Sequence, residues 1–532
     1  MNEGVGVGER PAPAPEALGF LERRAPWVAA SVALVAALLT MTADPIGGFN
    51  DDGIYLLVAK ALAAGQGYVY PQLPGTPPAI HYPPVWPMLL ALVWKVGPAF
   101  PANIGWLKLI NPVVIAVAAA LAVTLGRRLL GLPWWVALAG VVGATVSVPV
   151  LLLTNLLLSE PLFLLLLAPA LFVTERLVRD GGWRRAAGAG ALVALLVLVR
   201  TLGGVVLVAA VLLLARERRW RDLVVFLAVS TVLLLPWQLF VWRASAAFPD
   251  ELRGSYGPYL EWMVDGYRAG GLPFFVAVVA KNLEATWEMI GVFTSPFSAG
   301  LFRDLTSAIA VVLFVSGLIA SARRGHAPVL ALALTGYLAI VIAWPFWVDR
   351  FYWVLWPLLV LVALAGAQAL AVRLGAQGRR RAAATVVGVT VLLAAGHETY
   401  NVRGLARGWA SSASRGVSGA GIRLIRQVNN TRAFDGRIVA SELAPMLAIY
   451  TGLQVLPVEI LTTREHVMEK TQADRTDELQ RIDRRFRPEA YLVLDGGPFY
   501  PALIAAQFEA GRTLIDISPP GAPIRTLLVK PR

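Results

Sequence analysis

The 532-residue sequence contains no cysteine and only four histidines, and just 15% of its residues are charged. Without cysteine the chain has no disulfide, thiol nucleophile, thiolate zinc site or iron–sulfur cluster. Soluble globular proteins carry about 25% charged residues, so the low charge content excludes an ordinary cytosolic enzyme. A disordered scaffold is excluded as well, because it needs the opposite balance of apolar and charged groups.

The apolar content is correspondingly high, with 57% hydrophobic residues and a mean hydropathy of +0.64. The length accommodates about ten or more membrane-spanning helices of about 20 residues each, with residues left over for a soluble part. The sequence therefore predicts a mainly α-helical, polytopic membrane protein. Eleven apolar runs are the predicted spans: 27–43, 106–125, 134–152, 161–177, 186–199, 203–215, 222–242, 305–321, 328–346, 353–372 and 382–396.

Basic residues near the span ends predict the topology, because Lys and Arg are retained on the cytoplasmic side. All six clusters share one side if 186–199 and 203–215 form a hairpin, rather than one long helix with a buried Arg200, and if the short run 85–97 does not cross. The net charge of +13 is then topogenic and does not indicate nucleic-acid binding. The clusters are Arg23/Arg24, Arg127/Arg128, Arg176/Arg179/Arg184/Arg185, Arg216/Arg218/Arg219/Arg221, Arg323/Arg324 and Arg379/Arg380/Arg381.

This topology predicts an integral protein of a bacterial-type plasma membrane, with a disordered cytoplasmic leader (1–26) and a transmembrane domain (27–396). Two long loops (44–105 and 244–304) and the tail are extracytoplasmic, and 244–304 has the aromatic and charged mixture of helices at a membrane interface. After a connector (397–419), residues 420–532 are typical of a small α/β domain. Its predicted strands are 437–441, 490–494 and two short final ones, and its predicted helices are near 443–451, 464–485 and 499–510.

Ionisable residues gather at the extracytoplasmic ends of the predicted spans. Desolvating such a group costs several kcal/mol, so each one is a functional hypothesis. Because all of them lie at one membrane face, they can converge on a single cavity. The four places are Asn50-Asp51-Asp52-Gly53-Ile54-Tyr55, His81-Tyr82-Pro83-Pro84, Ser159-Glu160-Pro161, and Arg200-Thr201 together with Asp349-Arg350-Phe351-Tyr352.

Each of these residues also has a purely structural interpretation. Asp51 and Asp52 are suited to cap the helix that follows them, and Glu160 is also explained as a solvated loop residue. Arg200 is also explained by snorkelling to the interface, and Asp349 with Arg350 by a local turn pair. His81 is better explained as a loop residue than as a ligand.

Metal sites receive little support from the sequence. The remaining histidines have no partner spacing for a metal site, so none built on histidine is predicted. A divalent cation held by the oxygens of Asp51, Asp52 and Glu160 is a minor alternative.

Carboxylates and arginines at a lipid boundary suit the transfer of a sugar from a lipid phosphate. Fixed guanidinium groups would stabilise the phosphate that leaves. A carboxylate would deprotonate the acceptor hydroxyl, which then attacks the anomeric carbon. The prenyl chain would lie along an apolar groove between spans.

At these residues the sequence resembles the GT-C superfamily of integral membrane glycosyltransferases. It is nearest in pattern to the aminoarabinose transferase and protein O-mannosyltransferase-like branch (families 39 and 83). The ordered set covers most of the first 400 residues. Its pieces are Asp51-Asp52-Gly53-Ile54-Tyr55, Gly65-Gln66-Gly67-Tyr68, His81-Tyr82-Pro83-Pro84-Val85-Trp86-Pro87, Leu158-Ser159-Glu160-Pro161-Leu162-Phe163, Leu198-Val199-Arg200-Thr201 and Asp349-Arg350-Phe351-Tyr352.

The resemblance implies a GT-C fold, a polyprenyl-phosphate-linked sugar donor and a metal-independent reaction that inverts the anomeric centre. The acceptor would be a polysaccharide, glycolipid or protein. Asp51 would be the general base, and no cofactor is implied. The implied roles of the other residues are acceptor or donor positioning by Asp52, Tyr55, His81, Tyr82 and Glu160, and lipid-phosphate binding by Arg200, Arg350 and Tyr352.

The sequence departs from the family pattern at two positions. Asp52 stands where the branch commonly has Glu, and Tyr82 stands where the aminoarabinose transferases have a Lys before Pro-Pro. The second departure removes a contact to the donor phosphate and disfavours lipid A modification with aminoarabinose. Arg200 or Arg350 would supply that charge instead.

Two other functions are consistent with a polytopic chain. A transporter or lipid-linked sugar flippase favours internal repeats and polar residues near the middle of the membrane, whereas here the charges gather at span ends. A non-catalytic relative whose tail binds a partner in envelope assembly is the other alternative.

Overall fold

The computed structural model describes residues 16–295, 297, 299–323, 326–431, 434–518 and 524–530. The first fifteen residues of the predicted leader and Arg324 of a predicted basic cluster lie outside this range. Between residues 16 and 431 the α-helices are α1 (Glu16–Thr40), α2 (Asp51–Ala63), α3 (Val85–Val96), α4 (Ile104–Arg128), α5 (Trp134–Thr145), α6 (Val148–Asn155), α7 (Glu160–Asp180), α8 (Trp183–Val199), α9 (Gly204–Arg216), α10 (Trp220–Ser245), α11 (Arg253–Tyr256), α12 (Tyr259–Thr294), α13 (Leu301–Ala322), α14 (Pro328–Ile342), α15 (Asp349–Ala376), α16 (Arg380–Ala406) and α17 (Ser412–Thr431).

Helices occupy all eleven of the predicted spans. Seven of the described helices are long and apolar enough to cross a membrane: α1, α4, α7, α10, α13, α15 and α16. The pair α5 and α6 would form an eighth, broken span with a 56° bend. The remaining three, α8, α9 and α14, have only 17, 13 and 15 residues, so eleven crossings stay a prediction.

Two local features agree with the predicted topology, and one helix end does not. The helix stops at Val199, Arg200 is extended and a short 3-10 turn precedes α9, so 186–215 is not one continuous helix. The run 85–97 forms the 12-residue α3, which is too short to span. The predicted end of the last span at 396 is wrong for the helix itself, because α16 continues to Ala406.

The tail forms the predicted α/β domain. Its helices are α18 (Ala444–Thr451), α19 (Gln472–Phe486) and α20 (Phe499–Glu509), and its strands are β1 (Ile438–Ser441), β2 (Gln454–Pro457), β3 (Ala490–Leu494), β4 (Thr513–Asp516) and β5 (Ile524–Lys530). The strand order is β2-β1-β3-β5-β4, with β2, β1 and β3 parallel and β5 antiparallel to both of its neighbours. Two expectations were wrong: β2 was not predicted, and the helix predicted from 464 begins at Gln472 after a separate 3-10 turn.

The tail packs against the loops at one end of the helix bundle, called the tail side below. One continuous hydrophobic core includes Ile54 of α2 and Met446 of α18. Across this junction the backbone N–H of Ile46 donates to the Tyr450 hydroxyl at 3.1 Å. The N–H of Val455 donates to the Gln72 carbonyl at 2.9 Å. The tail therefore covers the beginning of α2.

Close backbone contact at Gly254 predicts a measurable effect of a single methyl group. A Cβ at this position would clash with the Leu461 carbonyl oxygen of the tail, so Gly254→Ala should destabilise the docked tail by about 1–3 kcal/mol. Thermal unfolding and limited proteolysis of the tail would measure the change. Gly188→Ala is the matched control, because nothing lies near that position and alanine favours the helix. Equal stability of Gly254→Ala and wild type would contradict the contact.

Candidate active site

Two adjacent carboxylates begin α2, and they point to different partners. Asp52 is buried, with 2% of its surface exposed. Its carboxylate accepts hydrogen bonds from the backbone N–H groups of Gly47 and Phe49, both at 3.1 Å. Burial raises the pKa of Asp52, and these two hydrogen bonds offset only part of the rise. Asp52 thus holds the preceding loop and does not join the other predicted site residues.

Asp51 lies at the tail side and points toward Tyr82 and Arg350. Its Oδ1 accepts a hydrogen bond from the Tyr82 hydroxyl at 2.8 Å, and its Oδ2 lies 2.8 Å from Arg350 Nη1. Burial raises the pKa of Asp51, but the Arg350 charge and the Tyr82 hydrogen bond outweigh burial and bring the pKa below its ordinary value. The side chain is 20% exposed. Asp51 is therefore an ionised and reachable carboxylate.

Glu160 links two arginines at the first turn of α7. Its carboxylate lies 2.8 Å from Arg200 Nη1 and 3.8 Å from Arg350 Nη1, and its side chain is 1% exposed. Arg200 also donates to the Ser159 hydroxyl at 3.1 Å. The four side chains form a series of ion pairs, Asp51–Arg350–Glu160–Arg200, which we call the ion-pair cluster. The alternation of acidic and basic side chains lets four ionisable groups share a poorly hydrated site.

Aromatic residues flank this cluster. The Tyr55 ring lies 4.4 Å from the Tyr82 ring, and its hydroxyl is 3.2 Å from the Ser159 hydroxyl. His81 Nδ1 is 2.5 Å from the Gly257 carbonyl oxygen, and the ring lies 3.8 Å from that of Tyr259. Burial lowers the pKa of His81 to about 4. The imidazole is therefore neutral near pH 7, with Nδ1–H donating and Nε2 left as an acceptor.

Tyr352 is the second predicted site residue that lies apart from the cluster. Its hydroxyl is 2.8 Å from the Thr286 hydroxyl of α12. The neighbouring Phe351 ring lies instead 5.6 Å from the guanidinium of Arg200, which stands between α8 and α9. On the other side Phe49 lies 4.9 Å from the Arg350 guanidinium. Sequence reasoning gave no role to Phe49 or Phe351, because an aromatic residue beside a charged one carries no specific signal.

The placement disfavours the alternative of a cation on Asp51, Asp52 and Glu160. Asp52 faces its own loop, and Arg350 lies between the other two carboxylates. Within the described ranges, no group of three or more His, Asp or Glu side chains is close enough to hold a metal ion. Positive charge at this site is supplied by guanidinium groups.

If Asp51 is the general base that the resemblance implies, its hydrogen bond from Tyr82 predicts a shift in the pH dependence of turnover. A general base works when deprotonated, so activity falls as pH falls through its pKa, which here lies below the ordinary 3.8. Tyr82→Phe removes a hydrogen bond to the charged form and should raise this pKa, moving the acid limb of kcat/KM to higher pH. Tyr55→Phe should leave the limb in place, because the Tyr55 hydroxyl contacts Ser159. An unmoved limb in Tyr82→Phe would contradict the assignment.

Comparison with known proteins shows a likeness of structure and not of sequence. No protein-family model matches the sequence, and no curated protein matches it significantly. The structure is similar to that of ArnT from Cupriavidus metallidurans bound to undecaprenyl phosphate, with a TM-score of 0.54 and 13% identity over 98% of this chain and 100% of that one. The apo state of the same protein gives a TM-score of 0.43 and 15% identity, over 97% and 100% of the two chains.

The match to the lipid-bound structure shows that this chain has the fold of ArnT over nearly its whole length. It confirms, at the level of the fold, the GT-C architecture that the ordered motifs implied. The tail is part of the matched length.

Proposed function

We propose that this chain, which has the fold of ArnT, is a membrane glycosyltransferase. It moves a sugar from a polyprenyl-phosphate-linked donor to an acceptor hydroxyl of a glycan, glycolipid or protein. The observation that carries the proposal is the position of Asp51, an ionised carboxylate 2.8 Å from the first of two arginines at the tail-side ends of the spans. ArnT bound undecaprenyl phosphate in the structure with which this fold is shared, which supports a lipid of this class as the donor.

The proposed reaction forms one bond at the anomeric carbon, breaks another there and transfers one proton. Asp51 accepts the proton of the acceptor hydroxyl as its oxygen attacks the anomeric carbon, a role within the usual reach of general-base catalysis. The phosphate leaves from the face opposite the attack: the bond between the anomeric carbon and the phosphate oxygen breaks, and its electron pair stays with the phosphate. The sugar is thus transferred with inversion, and polyprenyl phosphate is released.

The two arginines stabilise the charge that develops on the leaving phosphate. A guanidinium group presents several fixed N–H donors, which suits phosphate recognition. Glu160 keeps both guanidiniums in position from one buried carboxylate. Tyr352 is not assigned to the phosphate, since its hydroxyl is bonded to Thr286.

Arg350 gives the base a way to respond to the donor. Without donor it pairs with Asp51 and keeps the pKa of that carboxyl low. An incoming phosphate competes for the same guanidinium, and every hydrogen bond that Arg350 transfers to phosphate makes Asp51 more basic. The base would then be most active when a donor is present.

The tail side is assigned to the extracytoplasmic face. The basic clusters lie at the other ends of the helices, as in α15, which begins at Asp349 and is followed by Arg379, and such clusters remain cytoplasmic. The donor would therefore be taken from the outer leaflet, and the N-terminus would be cytoplasmic. Protease digestion of sealed inverted and right-side-out vesicles would test the face, because only one of them would expose the tail.

The activity itself is tested with purified protein in lipid and a panel of undecaprenyl-phosphate sugars. We expect release of free undecaprenyl phosphate from at least one donor, with an increase when envelope extract supplies the acceptor. Release from no donor, with or without extract, would contradict the proposed function. Heat-treated protein is the control for spontaneous hydrolysis.

A further inference from the structure

A cleft lies between the 244–304 segment and the tail, apart from the ion-pair cluster. Its volume is about 240 Å³, slightly below the ~300–1,000 Å³ of drug-sized ligand sites. One wall carries Glu251, Gly254 and Trp262, and the other carries Leu461 and Arg481. A cleft of this size can hold the end of an extended polymer ligand but is too small for a folded protein.

Hydrogen bonds between its two walls fix the shape of the cleft. The Trp262 indole N–H donates to the Leu461 carbonyl at 3.1 Å, and the Leu461 N–H donates to the Ser255 hydroxyl at 3.1 Å. Gly254 has no side chain, which allows the Leu461 backbone to approach closely. The Trp262 ring is thereby held as a flat apolar surface with its polar N–H already satisfied.

Two of the charged groups at the cleft are already paired. Asp250 lies 2.7 Å from Arg253, and Glu478 lies 2.8 Å from Lys470. Within the part of the chain that the structure describes, no ion pair is recorded for Glu251 or for Arg481, and both line the cleft. A carboxylate accepts hydrogen bonds and a guanidinium donates them. Glu251 and Arg481, beside the face of the Trp262 indole, can therefore recognise the hydroxyl groups of a sugar.

Aromatic contacts connect the cleft to the proposed base. The Trp262 ring lies 5.9 Å from that of Trp344, and Trp344 lies 5.7 Å from Tyr259. Tyr259 contacts His81 at 3.8 Å, and His81 contacts Tyr82 at 4.5 Å. The Tyr82 hydroxyl then bonds to Asp51. We call the five residues from Trp262 to Tyr82 the aromatic track.

We propose that the cleft and the aromatic track bind the acceptor, and that this acceptor is a glycan without anionic groups. The inference rests on the proposed function, since it assigns the acceptor of that same reaction. The reacting hydroxyl lies at Asp51, and sugar units further along the chain lie against the track and end in the cleft. Three carboxylates (Asp250, Glu251 and Glu478) and one arginine (Arg481) line the cleft. The cations that pair with Asp250 and Glu478 are each shared with a second carboxylate, Glu261 and Glu465. The remaining excess of negative charge disfavours phosphorylated or uronate-bearing acceptors.

The test measures glycan binding without donor or turnover. Full-length protein in lipid nanodiscs is titrated with neutral hexose hexasaccharides of several linkages and with phosphorylated forms of each, and binding is followed by saturation-transfer NMR and calorimetry. We expect a neutral hexasaccharide to bind and its phosphorylated form to bind more weakly. Glu251→Gln and Trp262→Leu should each weaken binding about tenfold or more, as for the loss of a hydrogen bond to a charged group or of an aromatic contact.

Asp265→Asn is the matched control, because Asp265 is an acidic residue of the same segment that does not line the cleft and is 62% exposed. It should bind the hexasaccharide like wild type. Glu251→Gln alters one partly exposed side chain, so it keeps the test informative if Trp262→Leu fails to fold. Binding of no neutral glycan, equal binding of phosphorylated forms, or wild-type binding by Glu251→Gln would each overturn the proposal.

The outcomes also separate this inference from the proposed function. Undecaprenyl phosphate release together with wild-type binding by Glu251→Gln would overturn the cleft assignment and leave the glycosyltransferase standing. Glycan binding that is sensitive to Glu251→Gln, with no donor ever consumed, would support the cleft as a glycan site and overturn the activity.

Discussion

Asp51→Asn is expected to lower sugar transfer by about 10²- to 10⁴-fold, the range that a positioned general base contributes. The amide keeps the shape of the side chain and still accepts the Tyr82 hydrogen bond, but it cannot take the proton of the acceptor hydroxyl. Release of undecaprenyl phosphate in the presence of acceptor would measure the change, with substrate affinity determined separately. Wild-type turnover would show that Asp51 is not the base.

Asp52→Asn is the informative companion to this variant. The two carboxylates are adjacent in sequence, but Asp52 accepts hydrogen bonds from the loop before α2. We expect Asp52→Asn to lower stability, because an amide offers one acceptor oxygen where two N–H donors need one each. Its activity per folded molecule should fall less than that of Asp51→Asn.

Glu160→Gln is expected to give the largest loss of stability at the site, about 3–5 kcal/mol, which is the usual cost of removing one partner from a buried ion pair. The variant leaves Arg200 and Arg350 without their shared carboxylate. Denaturant unfolding in detergent would measure the loss, and donor binding should weaken as the guanidiniums move apart. If Glu160→Gln is as stable and active as wild type, Glu160 does not organise the cluster.

A double-mutant cycle with Arg200→Gln distinguishes the loss of the Glu160–Arg200 ion pair from non-specific destabilisation. The double variant should lose less than the sum of the single losses, because neither partner is then left alone. Arg268→Gln provides a surface control. It removes an exposed pair with Asp265 at 3.7 Å, and such pairs contribute about 0–1 kcal/mol.

The convergence of the site could be predicted from the sequence, but the direction of individual side chains could not. Asp51, Glu160, Arg200 and Arg350 all flank apolar runs on one side of the predicted topology, and the bundle brings such ends together. Neighbouring helical residues point about 100° apart. Asp52 therefore turns away from Asp51, and Tyr352, two positions after Arg350, projects from another face of α15.

The strands and helices of the tail were likewise predicted only in part from the sequence. Strand β3 was predicted at 490–494, where five apolar residues in a row leave little choice. Strand β2 has four residues and ends in Pro457, and it lies at the edge of the sheet, where proline is tolerated. The start of α19 did carry a signal in Thr471 and Asp474, which form a capping box three residues apart.

The residues of the aromatic track come from three distant parts of the chain, and no short motif connects them. His81 and Tyr82 belong to the first long loop, Tyr259 and Trp262 begin α12, and Trp344 follows α14. Their contacts depend on how the first long loop, α12 and the segment after α14 pack against one another. Only the structure supplies that information.

The loop before α2 is touched from three sides. Asp52 holds its N–H groups, Tyr450 of the tail accepts a hydrogen bond from Ile46, and Phe49 lies against the guanidinium of Arg350. Under the proposed function, a movement of the tail that admits an acceptor would displace this loop and, through Phe49, the guanidinium of Arg350 that pairs with Asp51. Entry of the acceptor and the basicity of Asp51 would then be linked, and the proposed enzyme would consume little donor while no acceptor is bound.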